Sequence, residues 1–317
     1  MLRYILKRLG LAAVTLFLLS VIVFALSQTL PGNVARSVLG QFATQEAIDD
    51  LNHQIGADRS AVVQYLDYMR GFVQGDLGLS LASQAPVWSI LQPALANSLK
   101  LAALAFVIVV PLSILGGIVA GLRSGTSGDR TITIFGLSMS AMPEFVTGIL
   151  LILVFVIWLG WLPVTAQWNE GAAPLTQLRH LLLPSLCLAL VLFGYIARIT
   201  RAGVIEAADA DYTRTAYLKG LPTHTVIRRH VLRNALLPTI AVVATQTSYL
   251  VGGLLIVEGL FNYQGIGLQV YLSAQQKDFT VLTSAVLVLG LVVLCVTLVA
   301  DIVYGLLNPR VRFGSTA

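Results

Sequence analysis

The chain has 317 residues, of which 56% are hydrophobic and only 11% charged, and its mean hydropathy is +0.82. Soluble domains carry about 25% charged residues, so this composition excludes a water-exposed globular protein and points to a membrane-embedded helical bundle. The net charge is +5, from 20 Lys and Arg against 15 Asp and Glu, and the placement of the basic residues argues for a topology signal rather than nucleic-acid binding.

Crossing about 30 Å of hydrocarbon takes about 20 apolar residues. Charge-free runs cover 9–35, 101–122, 181–197, 234–257 and 279–300, and a sixth run, 131–160, holds the single charge Glu144. These predict an all-α, polytopic bundle with six transmembrane helices. Periodicity adds little, because helices facing lipid are apolar all round. Met1 to Arg8 is basic and precedes the first run. A cleaved signal peptide is the competing reading, with Ala25-Leu26-Ser27 as its cleavage site, but the apolar run exceeds the usual 7–15 residues. With the N-terminus inside, fourteen basic residues face the inside and six the outside, so both termini are expected in the cytoplasm of a bacterial inner-membrane protein.

The first connection, 31–97, reads as an extracytoplasmic loop subdomain. Thr44, followed by Glu46 and the spacing Ile48, Leu51, Ile55, predicts a capped amphipathic helix, and Gly71 to Gly78 predicts a turn-rich segment. In the second run Gly117 and Gly121 form a small-residue stripe suited to close helix packing. In the third, Pro143 precedes Glu144 and predicts a kink. Glu144 is a candidate for the pathway, or for proton carriage, since ionisable groups at membrane depth are expensive. Glu258 and Asp301, at run ends, read better as interfacial groups or as partners in an internal hydrogen bond. In the fifth run Thr245 to Tyr249 is a polar belt, and Gln246 and Tyr249, three apart, are candidates for a wet face.

The connection 198–236 holds seven basic residues. Asp211 is placed to cap a short helix through Tyr212, Thr213, Arg214, Thr215, Ala216, Tyr217 and Lys219, Gly220 to end it in a left-handed conformation, and Pro222 to stop it. By residue type such a helix is either a membrane-surface amphipath or a dock for a soluble partner. Cys187 and Cys295 lie in apolar runs and read as small hydrophobes. The four histidines lack metal-ligand spacing, so no metal site is expected. No phosphate-binding loop and no hydrolase motif occurs, so no catalytic residue is assigned.

Several segments, in order and at consistent spacing, carry a resemblance: Met1-Leu-Arg-Tyr-Ile-Leu-Lys-Arg8, Gly75-Asp-Leu-Gly-Leu-Ser80, Asn97-Ser-Leu-Lys-Leu101, Gly160-Trp-Leu-Pro163, Leu183-Pro184, Arg198-Ile-Thr-Arg201, Asp211-Tyr-Thr-Arg-Thr-Ala216, Lys219-Gly220, His230 to Pro238, Glu258-Gly-Leu-Phe261, Gly265-Ile-Gly267 and Asn308-Pro-Arg310. The chain resembles the permease subunits of bacterial ABC importers of the oligopeptide, dipeptide and nickel type, specifically the first permease of the pair. The resemblance implies a type I importer permease with an N-terminal helix (1–30), the loop subdomain (31–97), a five-helix core (98–309) containing the coupling loop 198–236, and a cytoplasmic tail (310–317). It implies that Asp211 to Gly220 is the coupling helix. Its implied partners are a homologous second permease, two P-loop ATPase subunits that bind ATP and Mg²⁺, an extracytoplasmic substrate-binding protein, and lipid. No cofactor is expected in this chain and no nucleic acid as partner. Tyr217-Leu218 departs from the family's usual residues before Lys-Gly. The substrate stays open among dipeptides, oligopeptides, opines, glutathione and metal chelates. The rivals are a proton-coupled secondary transporter and a scaffolding membrane subunit.

Overall fold

The computed structural model describes residues 2–29, 39, 43–54, 58–169 and 171–307. The stretch 30–38, Ile55, the Asn308-Pro309-Arg310 motif and the tail 310–317 lie outside them. In chain order the helices are α1 (Leu2–Thr29), α2 (Gln45–Gln54), α3 (Ala61–Gln74), α4 (Val87–Leu122), α5 (Ser127–Ala141), α6 (Glu144–Leu151, continued by a π-helix Ile152–Trp158), α7 (Pro174–Asp209), α8 (Asp211–Leu218), α9 (Thr223–Val226, continued by a π-helix Ile227–Val231), α10 (Leu232–Leu260), α11 (Ile266–Gln276) and α12 (Phe279–Leu307).

Among the described residues, five helical stretches are long and apolar enough to cross a membrane, or six if the pair α5 and α6 counts as one span. That pair corrects the expected kink. The two helices turn by 114° at Met142-Pro143. Pro143 has no N–H to donate and forbids the α conformation to the residue before it, so Met142 is extended at ψ 137° and a new helix starts. Most helices also outrun their apolar stretches. Hydropathy marks only the part suited to hydrocarbon, whereas backbone hydrogen bonding continues into water. Asn97-Ser98 therefore lies inside α4, and Pro184 sits ten residues into α7 instead of opening it.

The chain forms two compact units. One comprises 99–263 with 295 onward. At its centre is α7, which carries small residues wherever a neighbour crosses it. A Cβ on Gly117 of α4 would lie 2.5 Å from the Ala197 carbonyl oxygen, and one on Gly121 would lie 2.7 Å from Val204. The Gly117/Gly121 stripe is thus a close-packing face. A Cβ on Gly194 would sit 2.0 Å from the Gly136 carbonyl oxygen of α5, and one on Gly203 would sit 2.5 Å from the Ala235 carbonyl oxygen of α10. Thr239 of α10 donates to Thr200 of α7 at 3.1 Å, which satisfies two buried hydroxyls where lipid offers no partner.

The other unit comprises 2–98 and 264–294. Its core includes Leu77, Val87, Leu91, Ile266, Val281 and Ala285. The Ala47 N–H bonds the Thr44 hydroxyl at the start of α2 as expected, and Ile48 is buried. Gly71 is still within α3. The turn comes at Gly75 (φ 82°), whose N–H bonds Phe72 O while Asp76 N–H bonds Gly71 O.

Candidate functional site

The expected coupling segment is a two-turn helix at the end of α7. A single extended residue, Ala210 (φ −68°, ψ 147°), breaks α7 from α8. Asp211 was expected to cap this helix. Ala210 occupies the cap and Asp211 the first helical position, where its charge still complements the helix N-terminus. The C-terminus matches expectation. Gly220 is left-handed at φ 74°, its N–H bonds Tyr217 O at 2.9 Å, and Leu221 N–H bonds Ala216 O at 3.4 Å. This is the paired closure that satisfies the Ala216 and Tyr217 carbonyls of the last turn.

The face α8 turns inward is small. Thr213 and Ala216 are buried, and the Thr213 hydroxyl donates to Ala207 O of α7 at 2.7 Å. Asp211, Tyr212, Arg214, Thr215, Tyr217, Lys219 and Gly220 are exposed. So is Leu218, at 82%, one of the two residues that depart from the family's usual pattern. The helix is inside out for a surface element: its large apolar and aromatic groups face away from its own protein.

Ten residues before α8, Arg201 on α7 makes a two-pronged bond to Asp129 of α5, Nε to Oδ1 at 2.5 Å and Nη2 to Oδ2 at 2.8 Å. Asp129 is 4% exposed. It also accepts from Gly125 N–H at 2.9 Å and from the Thr133 hydroxyl at 3.3 Å. Sequence reading missed Asp129. Its only signal is one acid between Arg123 and Arg130, three residues after Thr126, whose hydroxyl accepts from Asp129 N–H at 3.4 Å.

The pathway candidates do not form one cluster. Glu144, in the first turn of α6, is half-buried. Its Oε1 would lie 3.1 Å from a Cβ on Gly253 of α10, and its carbonyl accepts from the Cys187 thiol at 3.2 Å. Gly253 is seven residues from Gln246, about 10 Å along the helix. Tyr249 is 57% exposed and Gln246 half-buried. Exposed Thr245, Tyr249, Gly252, Ile256 and Gly259 recur at helical spacing and give α10 a face of mixed polar and small groups. Ser248 is instead spent on Thr297 of α12, at 2.8 Å.

Comparison with known proteins identifies the fold's family. A family model described as a binding-protein-dependent transport system inner membrane component matches residues 113–313, and one for the N-terminal part of such components matches 1–102. The chain belongs to this family. The glutathione transport system permease protein GsiC of Escherichia coli (strain K12) is 34% identical over 315 residues, 99% of this chain and 100% of that one. The di/tripeptide transport system permease protein DppB of Pseudomonas aeruginosa (strain UCBPP-PA14) is 32% identical over 333 residues, 98% of this chain and 99% of that one. A crystal structure of an amino acid ABC transporter with histidines contains a chain of 18% identity and TM-score 0.49, covering 69% of this chain and 92% of that one. The protein is a multi-pass permease subunit of an ABC importer and is not itself the ATPase.

The permease's scattered motifs meet in the fold. Ser80, closing the Gly75–Ser80 motif, donates to the buried Asp278 carboxylate at 2.5 Å, and Ala82 N–H bonds the same oxygen at 3.2 Å. Asp278 in turn accepts from Val281 N–H at 3.2 Å and so caps α12. Asn97 donates to Gln264 O at 2.9 Å, and the Ser98 hydroxyl accepts from Ile266 N–H at 2.8 Å at the start of α11. Glu258 is fully buried, which fits the internal rather than the interfacial alternative. Burial first, and then the nearby Glu258 charge, push the Tyr263 phenol well above its usual value and keep it neutral.

Proposed function

We propose that this permease forms half of the translocation path for glutathione, short peptides or a chemically similar solute, and that α8 is its coupling helix. The observation that carries the coupling role is the outward display of Tyr217 and Leu218 on a helix whose inward face is only Thr213 and Ala216. A buried partner groove is what such a face fits, and the rigid attachment through Thr213 lets a push on α8 move α7 as a body. The partners are a homologous second permease, two P-loop ATPase subunits that bind ATP and Mg²⁺, and an extracytoplasmic substrate-binding protein. Both termini lie in the cytoplasm, which puts α8 on the ATPase side. The N-terminal helix 1–30 and the loop 31–97 precede a core, 98–309, whose α10 face from Thr245 to Gly259 lines the path with Gln246, and Glu144 supports that helix from behind. Support for the substrate class comes from the two relatives that bear glutathione and di/tripeptide permease names and match this chain end to end.

The test is co-purification of the tagged permease in mild detergent, wild type against Leu218→Glu. The wild type is expected to bring down a second permease and P-loop ATPases. Leu218→Glu should keep the second permease and lose the ATPases by about tenfold or more, the effect of one truncated anchor residue. Unchanged ATPase recovery from the variant sinks the coupling assignment.

A further inference from the structure

Beside α8 lies an open basin of about 1020 Å³ lined by Tyr212, Arg228, Arg229, His230, Arg233 and Asn234. Every lining side chain is basic or a neutral hydrogen-bonding group, and no carboxylate lines it. Among the described residues, no ion pair joins Arg228, Arg229 or Arg233 to an acid. Asn234 donates to His230 O at 2.8 Å, which fixes one wall. The floor is the π-helix Ile227–Val231. Arg228 and Arg229 stand on it and Arg233 follows it, and all three side chains line one space. Wide turns of this kind recur at functional sites.

Depth decides what fills the basin. Arg233 directly precedes the charge-free stretch 234–257. Arg228 is five residues further out, about 7.5 Å at the helical rise. The headgroup layer on each side of the hydrocarbon is about 5–7.5 Å thick, taking half the difference between whole-bilayer and core thickness. With α10 along the bilayer normal, Arg233 stands at the inner edge of that layer and Arg228 at its outer edge. A phosphodiester there offers the paired oxygens that guanidinium groups grip two at a time.

We propose that this basin binds the headgroup phosphate of an anionic phospholipid of the cytoplasmic leaflet. The placement in that leaflet rests on the orientation proposed above. Tyr212 belongs to both the basin and the first turn of α8, so the bound headgroup braces the proposed coupling helix against the membrane surface.

The experiment uses the purified permease complex. It is exchanged into nanodiscs of phosphatidylglycerol with phosphatidylcholine in equal parts, re-extracted gently, and examined by native mass spectrometry for retained lipid. The wild type is expected to retain phosphatidylglycerol at least tenfold over phosphatidylcholine. The triple variant Arg228→Gln, Arg229→Gln, Arg233→Gln should lose that preference. The matching triple Lys variant should keep it within a few-fold, which separates loss of charge from loss of fold. Equal retention by wild type and Gln variant overturns the proposal. Displacement of the lipid by inorganic phosphate overturns it in favour of a free-anion site. A Gln variant that keeps its lipid but sheds the ATPase subunits overturns it in favour of a protein contact. A Gly220→Val complex that retains phosphatidylglycerol supports the basin whatever its effect on coupling, so the two readings fail separately.

Discussion

Arg201 and Asp129 are 72 positions apart in sequence and joined by two parallel hydrogen bonds, at 2.5 and 2.8 Å. The pair fastens the base of α5 to the part of α7 that leads into α8. Asp129 is buried, so removing either partner strands the other without compensation, whereas two well-packed apolar groups leave nothing stranded. Asp129→Leu and Arg201→Leu are each expected to lower the thermal unfolding midpoint of the detergent-purified permease clearly. The double variant should recover most of that loss while uptake stays impaired, because the apolar pair packs but no longer orients α7. Additive losses in the double-mutant cycle would show that the two side chains act independently.

Gly220 sets where α8 stops. Its φ of 74° is left-handed, and a Cβ added there meets nothing within 4 Å, so substitution costs backbone strain alone. That strain is about 1 kcal/mol for Ala and greater for a β-branched residue. Gly220→Ala should keep coupled uptake, and Gly220→Val should uncouple it by unwinding the last turn, which carries Tyr217 and Leu218. ATPase activity of the reconstituted complex, measured with and without binding protein and solute, reads this directly. A Val variant whose ATPase still responds fully to solute would remove α8's end from the coupling contact.

Much of this was legible in the chain because it is local. The left-handed Gly220, the Thr44 cap and the four-residue spacing of Gly117 and Gly121 are each set within one or two turns, and their chemistry is written in nearby positions. What was not legible depends on distance or on backbone detail. Nothing near Asp129 announces Arg201, and nothing near Ser80 announces Asp278. The run 131–160 reads as one apolar span because hydropathy averages over side chains, while the 114° turn is decided by two backbone torsions at Met142-Pro143. The π-helix at 227–231 is invisible for the same reason: its residues are ordinary helix formers, and only the hydrogen-bond register distinguishes it. Leu218 is legible only as a departure from the family's usual residue, because its exposure, the highest of the large apolar groups on α8, is a property of the fold.

Two glycines separate packing from transport. At Gly194 a Cβ would fall 2.0 Å from the Gly136 carbonyl oxygen, a backbone atom that can yield only if α5 and α7 move apart. Gly194→Ala is therefore expected to destabilise the permease by about 1–3 kcal/mol, the range for overpacking, and to reduce the amount recovered from membranes. Gly252 is exposed on α10 and a Cβ there meets nothing within 4 Å. Gly252→Ala should be neutral or stabilising by about 0.5–1 kcal/mol, since Ala removes glycine's entropy cost in a helix. Gly252→Leu should also leave the unfolding midpoint near wild type, yet block uptake of labelled glutathione and a labelled dipeptide if the Thr245–Gly259 face lines the path. Thermal unfolding and vesicle uptake on the same preparations distinguish the cases. A Gly252→Leu permease that is stable and transports at the wild-type rate would move the path off this face of α10, leaving it to face lipid or the second permease instead.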